Sequence, residues 1–518
     1  MTVALCGIAW SPRNSSKFVV RAGYGLAFDA LPSFQVTAVS GRPPGLIGSC
    51  SSTLGGTTTA GCTVAPDLRI GQGFPLEMAA PTFKPSSQLT LPLVTLSNAP
   101  PVAVFDPNLK LPTVHQWNLS MQRELPMGIV AQVAYVGRRG TRLQRAYDIN
   151  QIDATRLLPQ FTAMQANIGK NCNADGTGCP AGVTGTAVSL PGITAAFLNS
   201  ATTRNDLLLN QAGNFVGRVE QTTIDGKFRL NQQFGVITYL DSGGSSHYHA
   251  LQATLRKRFE KGMLFGASYT FGKSIDDQSV DPVGASSGGG LSTTNSRTPT
   301  DGHNFGNEKA RSDFDRTHVF TAFSVYELPL GKGKSLFGSA NKFADHFIGG
   351  WAVNGIVTMM SGEPFAVRSG IRTSNFSHES RADIIGGVKP ELKLQDIAGV
   401  VGPVVFANNS GFAIPAPGQN GAGRNIFTAP GYWNVDLGIQ KNVNITEQVK
   451  FQFRVEMFNA FNHPNFDNPR DASVGSPSFR STLFGQTCCA TVAPPSTQQI
   501  IQTGEAARVI QLAGKITF

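Results

Sequence analysis

Apolar and polar residues alternate along two adjoining runs within residues 246–273, on either side of the tight turn Glu260-Lys261-Gly262. In the second run, Met263, Phe265 and Tyr269 share one face, and small or polar residues share the other. Successive side chains of a strand point to opposite faces, so this period of two predicts a β-hairpin. Each run is about 10–12 residues long, beyond the ~5–6 of soluble strands and near the ~9–11 of a tilted strand that crosses a bilayer. A soluble antiparallel sheet gives the same alternation, so one hairpin does not decide between the two.

The same pattern recurs from one end of the chain to the other. Hairpins are predicted at 5–10 with 18–28, 114–122 with 129–137, 246–259 with 263–273, 316–327 with 350–360 and 434–440 with 449–458, and a last strand at 507–518. Eleven long strands are therefore expected. A short amphipathic helix at 339–347 is predicted between the two strands of the fourth pair.

The connections between these strands alternate in length. Short turns join the strands of a pair, and long loops rich in Gly, Ser, Thr, Asn and Pro separate the pairs, at about 29–112, 138–245, 274–314, 362–432 and 460–505. Transmembrane barrels have this asymmetry, with short periplasmic turns and long external loops. A loop of that length is unusual in a compact soluble domain. The sequence thus predicts an all-β, antiparallel transmembrane β-barrel with long extracellular loops.

The strand count predicts that the barrel is partial. Closed bacterial barrels have an even number of strands, and eleven is odd. A half barrel would leave two long edges unpaired in lipid, which is costly for every unsatisfied backbone group. The N-terminal stretch MTVALCGIAWSPRN also shows no export signal. We therefore expect residues 1–518 to be the C-terminal half of a larger protein, with the signal peptide and the first strands lying upstream.

Composition and charge agree with strands and turns. Only 15% of residues are charged, whereas glycine and phenylalanine number 57 and 34, and no apolar run is long enough for a transmembrane helix. The net charge of +10 comes from basic residues scattered at strand ends, with no dense basic block. This distribution argues against a nucleic-acid partner.

The seven cysteines lie mostly in predicted loops. Cys50 with Cys62, and Cys172 with Cys179, are spaced for loop disulfides in an oxidising compartment, and free thiols are the alternative. The spacing is not that of a zinc site, and no histidine cluster lies nearby.

Other chemistry is weakly represented. His247 and His249 share a strand face but lack a third metal ligand. Asp276 and Asp277 lack calcium-loop spacing, and no GxSxG motif or other nucleophile–base–acid set is present. We expect no enzyme activity, no cofactor and no metal.

Several segments resemble the Oar-like group of TonB-dependent receptors, in the same order along the chain. They include AWSPRNSSKFVVRAGYGLAFD near the start, HQWNLSMQRELPMGIVAQVAYVGRRGTRL from His115, DFDRTHVFTAFSVYELPLGKG from Asp313, GAGRNIFTAPGYWNVDLGIQKNV from Gly421 and FRVEMFNAFNHPNF from Phe453. The final strand resembles the C-terminal signal read by the barrel-assembly machinery, with Ile510, Leu512, Ile516 and Phe518 on one face. The resemblance covers the strands but not the long loops.

The resemblance implies a 22-stranded barrel with a plug in its lumen, preceded by a TonB box and an N-terminal β-sandwich. Residues 1–518 are expected to begin after these N-terminal parts and after roughly the first half of the barrel. The implied function is energy-coupled uptake, through TonB, of a large ligand bound by the extracellular loops. An outer-membrane adhesin on a barrel scaffold is the alternative, and a soluble secreted β-protein is a third.

Two sets of strand residues receive specific expectations. Arg256, Arg258, Arg454 and Glu456 are expected to face the lumen, where a plug or water would meet them. Aromatic residues near strand ends are expected at the lipid headgroup level, where amphipathic rings are favoured. They are Trp10, Trp117, Tyr135, Tyr269, Tyr326, Trp351 and Trp433.

Overall fold

A computed structural model describes residues 2–12, 17–29, 102–222, 228–232, 234–279, 299–397, 400–446, 448–466, 469, 478–482, 484–487 and 507–518. Its strands are β1 (Thr2–Trp10), β2 (Phe18–Phe28), β3 (Val102–Phe105), β4 (Thr113–Leu125), β5 (Ile129–Asp148), β6 (Ile237–Glu260), β7 (Met263–Asp276), β8 (Ala310–Arg311), β9 (His318–Glu327), β10 (Trp351–Met360), β11 (Pro364–Phe365), β12 (Asp383–Ile384), β13 (Lys393–Ile397), β14 (Val400–Val404), β15 (Phe412–Ala413), β16 (Phe427–Thr428), β17 (Tyr432–Asn444), β18 (Lys450–Phe458) and β19 (Val509–Thr517). Its α-helices are α1 (Leu158–Gly169), α2 (Ala195–Leu198), α3 (Ala201–Leu208), α4 (Ala212–Thr222) and α5 (Lys342–Ile348).

Eleven long strands form one antiparallel sheet in the order β1-β2-β4-β5-β6-β7-β9-β10-β17-β18-β19. These are the eleven predicted strands, so the prediction is confirmed. β3 pairs in parallel with β6, β8 adds a short pair to β7, and the remaining strands form three two-stranded sheets in the loops. The path ends at β1 on one side and at β19 on the other, so the sheet of the described residues is open.

The two faces of the sheet differ in chemistry, as four neighbouring strands show. Leu119, Tyr135, Leu251 and Phe271 are consecutive partners across β4, β5, β6 and β7, and each is 40–48% exposed. We call the face that they share the outward face. A continuous exposed apolar surface of this kind marks contact with lipid or protein. The alternation of strand side chains places polar residues such as Gln132 on the opposite, inward face.

The strands are tilted, as the register shows. One row of paired residues runs from Trp10, at the turn end of β1, through Met121, Ala253 and Met359 to Trp433, eleven residues before the end of β17 at Asn444. The row climbs about 11 residues over 8 strand steps, which at ~3.3 Å per residue and ~4.8 Å between strands is a tilt of about 40–45°. Membrane barrels have strands tilted by about 35–45°.

No helix in the described part of the chain is long and apolar enough to cross a bilayer. The predicted helix at 339–347 is present as α5, with bounds shifted by a few residues. The strands β5 and β6 are longer than predicted, because they continue well into the region expected to be a loop at 138–245. The main buried hydrophobic clusters lie in the loop regions.

Candidate ligand-binding surface at the loop end

β5 and β6 continue as a two-stranded ribbon beyond the length that a bilayer requires. Their pairing runs from Ile129 opposite Lys257 to Asp148 opposite Thr238, in strands of 20 and 24 residues. A membrane strand needs ~9–11 residues, so we assign 141–148 and 237–245 to a ribbon outside the bilayer. Register shifts around Leu143 separate the two parts, as β-bulges commonly do at barrel rims.

The described residues between the two strands of the ribbon, 149–222, 228–232 and 234–236, form a helical insert with its own core. Phe161 and Met164 of α1 pack with Leu207 of α3 and with Phe215 and Val216 of α4, and all are fully buried. α1 carries Pro159 in its first turn, where a missing N–H is tolerated. Its apolar residues recur at helical spacing and face this core.

A disulfide and a buried amide fix the turn that follows α1. Cys172 and Cys179 are bonded. Asn167 is fully buried, and its Nδ2 donates hydrogen bonds to the carbonyl oxygens of Ala174 and Thr186 at 3.0 and 2.8 Å. These contacts hold a turn without regular structure. The other predicted disulfide cysteines, Cys50 and Cys62, lie outside the described residues.

Residues 371–378, which we call the docking segment, join the insert to the loop between β10 and β17. The N–H of Gly213 donates to the carbonyl of Arg372, and the N–H of Phe376 donates to the carbonyl of Ile152. A Cβ at Gly213 would lie 2.2 Å from the carbonyl oxygen of Asn375. Glycine is therefore required on this side of α4 for the two loops to approach.

Phenylalanine rings form a second buried core in the loop between β10 and β17. Phe365, Phe406, Phe412 and Phe427 contact one another with ring centroids 5.3–5.9 Å apart, and Phe484 from the region before β19 joins them. Tilted and edge-to-face pairs at these distances are favourable arrangements for aromatic rings. This part of the loop end is thus a packed body and not a set of independent loops.

Buried ion pairs connect the loops to one another. Arg381 pairs with Glu308, and Arg424 pairs with Asp276 and, at 3.2 Å, with Asp313. Burial acts to raise the pKa of Glu308, but Arg381 and the hydrogen bonds from Thr300 outweigh it and hold that pKa below its ordinary value. Breaking a buried pair leaves an uncompensated charge, so these contacts fix how the loops sit together.

A small acidic cluster with one histidine lies where the insert meets the loop between β7 and β9. His303 Nδ1 is 3.3 Å from Asp153 Oδ2 and 4.0 Å from Asp301 Oδ1. The hydrogen bond with Asp153 raises the pKa of His303 above its ordinary value. The ligand atoms lie within 4.8 Å of one another, as in a metal site, but Gln151 Nε2 already donates to both carboxylates. We read the cluster as a contact between loops.

The residues expected to face the lumen lie as follows. Arg256 pairs across the strands with Val130 and Gly266, on the inward face. Arg454 and Glu456 are neighbours on the inward face of β18, and Arg454 Nη1 lies 3.4 Å from Glu456 Oε1. Arg258 falls within the register shift next to the turn and has no assigned partner in the sheet.

The C-terminal residues of the expected assembly signal lie on the outward face of an edge strand. Ile510, Leu512 and Ile516 pair with Met457, Val455 and Phe451 of β18. They are more than half exposed, and Phe518 is 95% exposed. Their placement fits a segment that another protein could contact, and recognition itself stays a prediction.

Sequence reasoning missed the folded loop bodies, the buried ion pairs and a repeated tyrosine–histidine contact. Tyr24 with His115, Tyr135 with His249, and Tyr269 with His318 form hydrogen bonds of 2.7, 2.7 and 2.8 Å between hydroxyl and Nδ1. The helical spacing in α1 could have revealed the insert. The ion pairs join residues 73–148 positions apart, for which the sequence carries no signal.

Comparisons with known proteins agree with this geometry. Residues 6–511 match the family model described as an outer membrane beta barrel domain. A comparison with proteins of curated function finds no match.

Similar solved structures include two receptors and one outer membrane transporter. The ferripyoverdine receptor of Pseudomonas aeruginosa is 10% identical, with 91% of this chain and 31% of that chain covered and a TM-score of 0.33. The transporter YddB from Escherichia coli is 7% identical, with 88% and 36% covered and a TM-score of 0.35. A mutant of the ferric enterobactin receptor (PfeA) of Pseudomonas aeruginosa is 8% identical, with 99% and 39% covered and a TM-score of 0.36. The chain therefore spans about a third of the length of these structures. Identities and TM-scores this low support no conclusion about function.

The family match extends over nearly the whole chain, and the alternation, tilt and exposed apolar face are those of strands that cross a membrane. The chain belongs to the outer membrane beta barrel family, and its place is the outer membrane of a Gram-negative bacterium.

Proposed function

We propose that the chain forms part of an Oar-like TonB-dependent receptor, which binds a large ligand at its loop end and imports it with energy delivered through TonB. The observation that carries the proposal is the open sheet, in which the eleven long strands of the described residues end in two edges, β1 and β19. Each unpaired backbone group in lipid costs several kcal/mol. Further strands must therefore cover these edges in the membrane.

The width of the sheet supports a large lumen. Barrels of ~8 strands are filled by their own side chains, whereas those of ~22 strands enclose a plug. The inward face carries Phe323 and Ile356, opposite each other on β9 and β10, and they are 48% and 54% exposed. Exposed apolar side chains on a lumen wall are suited to contact with a folded plug. We propose 22 strands, with the plug, TonB box, export signal and N-terminal β-sandwich encoded outside residues 1–518.

The loop end supports ligand binding. The helical insert and the phenylalanine cluster are held together by the docking segment and by buried ion pairs. A surface fixed before binding loses less conformational entropy when a ligand docks. External loops on a rigid scaffold are also where variable recognition resides. The proposal involves no catalytic step, and its partners are lipid, the barrel-assembly machinery, TonB and an extracellular ligand.

An adhesin or structural surface protein is the second candidate. The observation that favours it is the ribbon of β5 and β6, which carries a pre-folded, disulfide-linked insert away from the bilayer. Such an arrangement presents a binding surface to another cell or to a matrix. It requires neither a plug nor TonB.

Growth and binding experiments distinguish the two. A strain with the gene deleted, and the same strain complemented with the intact gene or with a copy lacking 158–222, would be grown on oligosaccharides, peptides or proteins as the sole nutrient. The receptor proposal predicts loss of growth on one class without the gene or without TonB, with cell-surface binding of that ligand kept when only TonB is absent. Unchanged growth on every nutrient, with loss of cell attachment, would instead establish the adhesin.

A further inference from the structure

The outward face carries a group of cationic and imidazole side chains at the loop end of the membrane strands. We call it the outward cation patch, and its members are His115, Arg139, His249, Lys273 and His318. Register places them side by side: His115 pairs with Arg139, His249 pairs with Lys273, and His318 pairs with Phe271, two residues from Lys273. The patch therefore spans neighbouring strands from β4 to β9.

All members lie at the same height above the turns. Arg139 is ten residues beyond Ile129, where β5 begins, and Lys273 is ten residues beyond Met263, where β7 begins. The three histidines lie nine to eleven residues from the turn ends of their strands. At ~3.3 Å per residue and a tilt of about 40–45°, ten residues correspond to about 24 Å. The apolar band of a membrane barrel is ~25 Å tall, so the patch lies at its upper border.

The outward face below the patch is free of charge until the turns are reached. In the described strands, outward charged side chains below the patch occur only within four residues of a turn, at Arg123, Lys257, Glu260 and Lys441. Between these two levels the outward residues are apolar or aromatic, apart from small ones such as Ser324. The patch is thus adjacent to lipid tails on one side and to the external loops on the other.

The tyrosine–histidine contacts orient the imidazoles. Tyr24, Tyr135 and Tyr269 each lie six residues beyond the first residue of their strand, and each hydroxyl meets Nδ1 of a patch histidine. When the hydroxyl donates to Nδ1, the neutral ring carries its proton on Nε2. Each ring can then offer an N–H donor without being charged.

The two full charges are available for an external partner. Within the described residues, neither Arg139 nor Lys273 forms an ion pair. The carboxylate of Asp277, one residue beyond the end of β7, accepts hydrogen bonds from the backbone N–H and the hydroxyl of Ser245. Lys309 adds a further exposed positive charge near His247, on the loop side of the patch.

An apolar groove lies next to the patch on the same face. It has a volume of about 630 Å³, and its lining includes His318, Phe320, Met359, Trp433 and Pro430. The groove shares His318 with the patch, so an acyl chain could lie in it while an attached headgroup meets the cations.

We propose that the outward cation patch binds the phosphate groups of a phosphorylated glycolipid of the outer leaflet. Arginine, lysine and imidazole N–H groups are the donors that phosphate oxygens accept in charge-assisted hydrogen bonds. The height of the patch matches the level at which headgroup phosphates meet acyl chains, and an anionic headgroup is attracted by each nearby cation. The patch faces away from the inward surface, so its occupant is a membrane lipid and not the imported ligand.

Native mass spectrometry of the complete protein in detergent tests the proposal, with diphosphoryl lipid A as the probe. The double variant Arg139→Gln/Lys273→Gln is expected to lower the affinity for diphosphoryl lipid A about tenfold or more. The matched control is Arg123→Gln/Lys257→Gln, which removes two outward cations at the turn end and is expected to bind as the wild type does. The charge-retaining variant Arg139→Lys/Lys273→Arg should also bind. Heat-modifiable migration in gels checks that each variant is folded.

Two further probes identify the source of the phosphate. Dephosphorylated lipid A is expected to bind weakly, and inorganic phosphate is expected not to compete at millimolar concentration. Equal binding by the double variant and its control would overturn the proposal. Competition by inorganic phosphate alone, or equal binding of phosphorylated and dephosphorylated lipid, would also overturn it. If the double variant does not fold, His115→Gln/His249→Gln replaces it, with the same expected loss of binding.

Discussion

Gly217 of α4 lies directly against the ring of Phe376 in the docking segment. A Cβ at position 217 would come within 2.0 Å of Phe376 Cδ2. The contact adds to the hydrogen bonds that join the helical insert to the loop between β10 and β17, two parts with separate cores. The closeness of this approach makes the glycine a sensitive position for the arrangement of the loop end.

The substitution Gly217→Ala should therefore separate the docking segment from the insert. Overpacking of a tight contact typically costs about 1–3 kcal/mol. Limited proteolysis of the purified protein should show faster cleavage near 371–378. Gly169→Ala is the control, because that glycine also belongs to a helix of the insert and a Cβ there meets nothing within 4 Å. Equal protease resistance in the two variants would contradict the prediction.

Reduction of the Cys172–Cys179 disulfide should loosen the insert without affecting the membrane strands. The bond closes a short loop of sequence separation 7, for which chain entropy predicts about 2–3 kcal/mol of stabilisation. The double variant Cys172→Ser/Cys179→Ser should destabilise the insert alone. Hydrogen exchange of the α1 amides, measured at increasing temperature, should therefore become fast at a lower temperature than in the wild type. The control is Cys6→Ser, since Cys6 is an exposed free thiol on the first strand. Unchanged exchange in α1 would rule out a stabilising role.

The contact between His303 and Asp153 should make the loop end sensitive to pH. The hydrogen bond with Asp153 raises the pKa of His303. The contact therefore stabilises the fold fully below about pH 6.5, and this stabilisation is lost as the pH rises through the folded-state pKa of His303. Burial acts to raise the pKa of Asp153, but His303 and Gln151 hold it below its ordinary value. The stabilisation that comes from ionised Asp153 is present above about pH 4, and it is lost as the pH falls through the folded-state pKa of Asp153.

His303→Gln is accordingly expected to lower the thermal stability of the loop end at pH 6 and to leave it unchanged at pH 9. Differential scanning fluorimetry at both pH values measures the effect. His346→Gln, at an exposed histidine of α5, serves as the control and should have no effect at either pH. A loss that is equal at both pH values would show that the ring acts by packing and not by charge.

Loss of the buried arginine at position 424 should be far more damaging than loss of an exposed lysine. Arg424 and Asp276 are 5% and 4% exposed, and Arg424→Met would leave the carboxylate without its main partner. Such changes cost about 3–5 kcal/mol. Lys393→Met breaks an exposed pair with Glu391 and should cost about 0–1 kcal/mol. Chemical denaturation in detergent compares the two, and similar midpoints would contradict the expectation.

Phe518 offers a test of assembly that is separate from stability. Its side chain is almost fully exposed, so Phe518→Ala should leave the unfolding midpoint of purified protein unchanged. The amount of protein reaching the outer membrane should nevertheless fall if the assembly machinery reads this residue. Immunoblotting of membrane fractions measures the yield. Lys515→Ala, on the inward side of the same strand, is the control.

The strands could be predicted from the sequence because lipid and water impose a period of two on each of them. Leu251 and Gln252, for example, are neighbours that meet opposite solvents, and no tertiary contact is needed to place them. The loops could not be predicted in this way, since their order depends on distant contacts. Arg424 meets Asp276 across 148 positions, and Gly217 meets a ring in another loop. The signal for α1 was present in Pro159 and in the spacing of Phe161 and Met164, yet the glycine-rich stretch that follows it, at 169–185, obscured it.

The opposite chemistry of the two sheet faces also protects the pairing of strands while the protein assembles. A slip of one residue between β5 and β6 would turn Gln252 to the outward face in place of Leu251. The same reversal of faces would occur along the whole hairpin. Amide and guanidinium groups would then enter the acyl chains, where an arginine at the midplane alone costs about 2–4 kcal/mol. A slip of two residues keeps the faces but stretches the tight turns. Misaligned hairpins are therefore unstable in the bilayer, so lipid itself selects the native alignment.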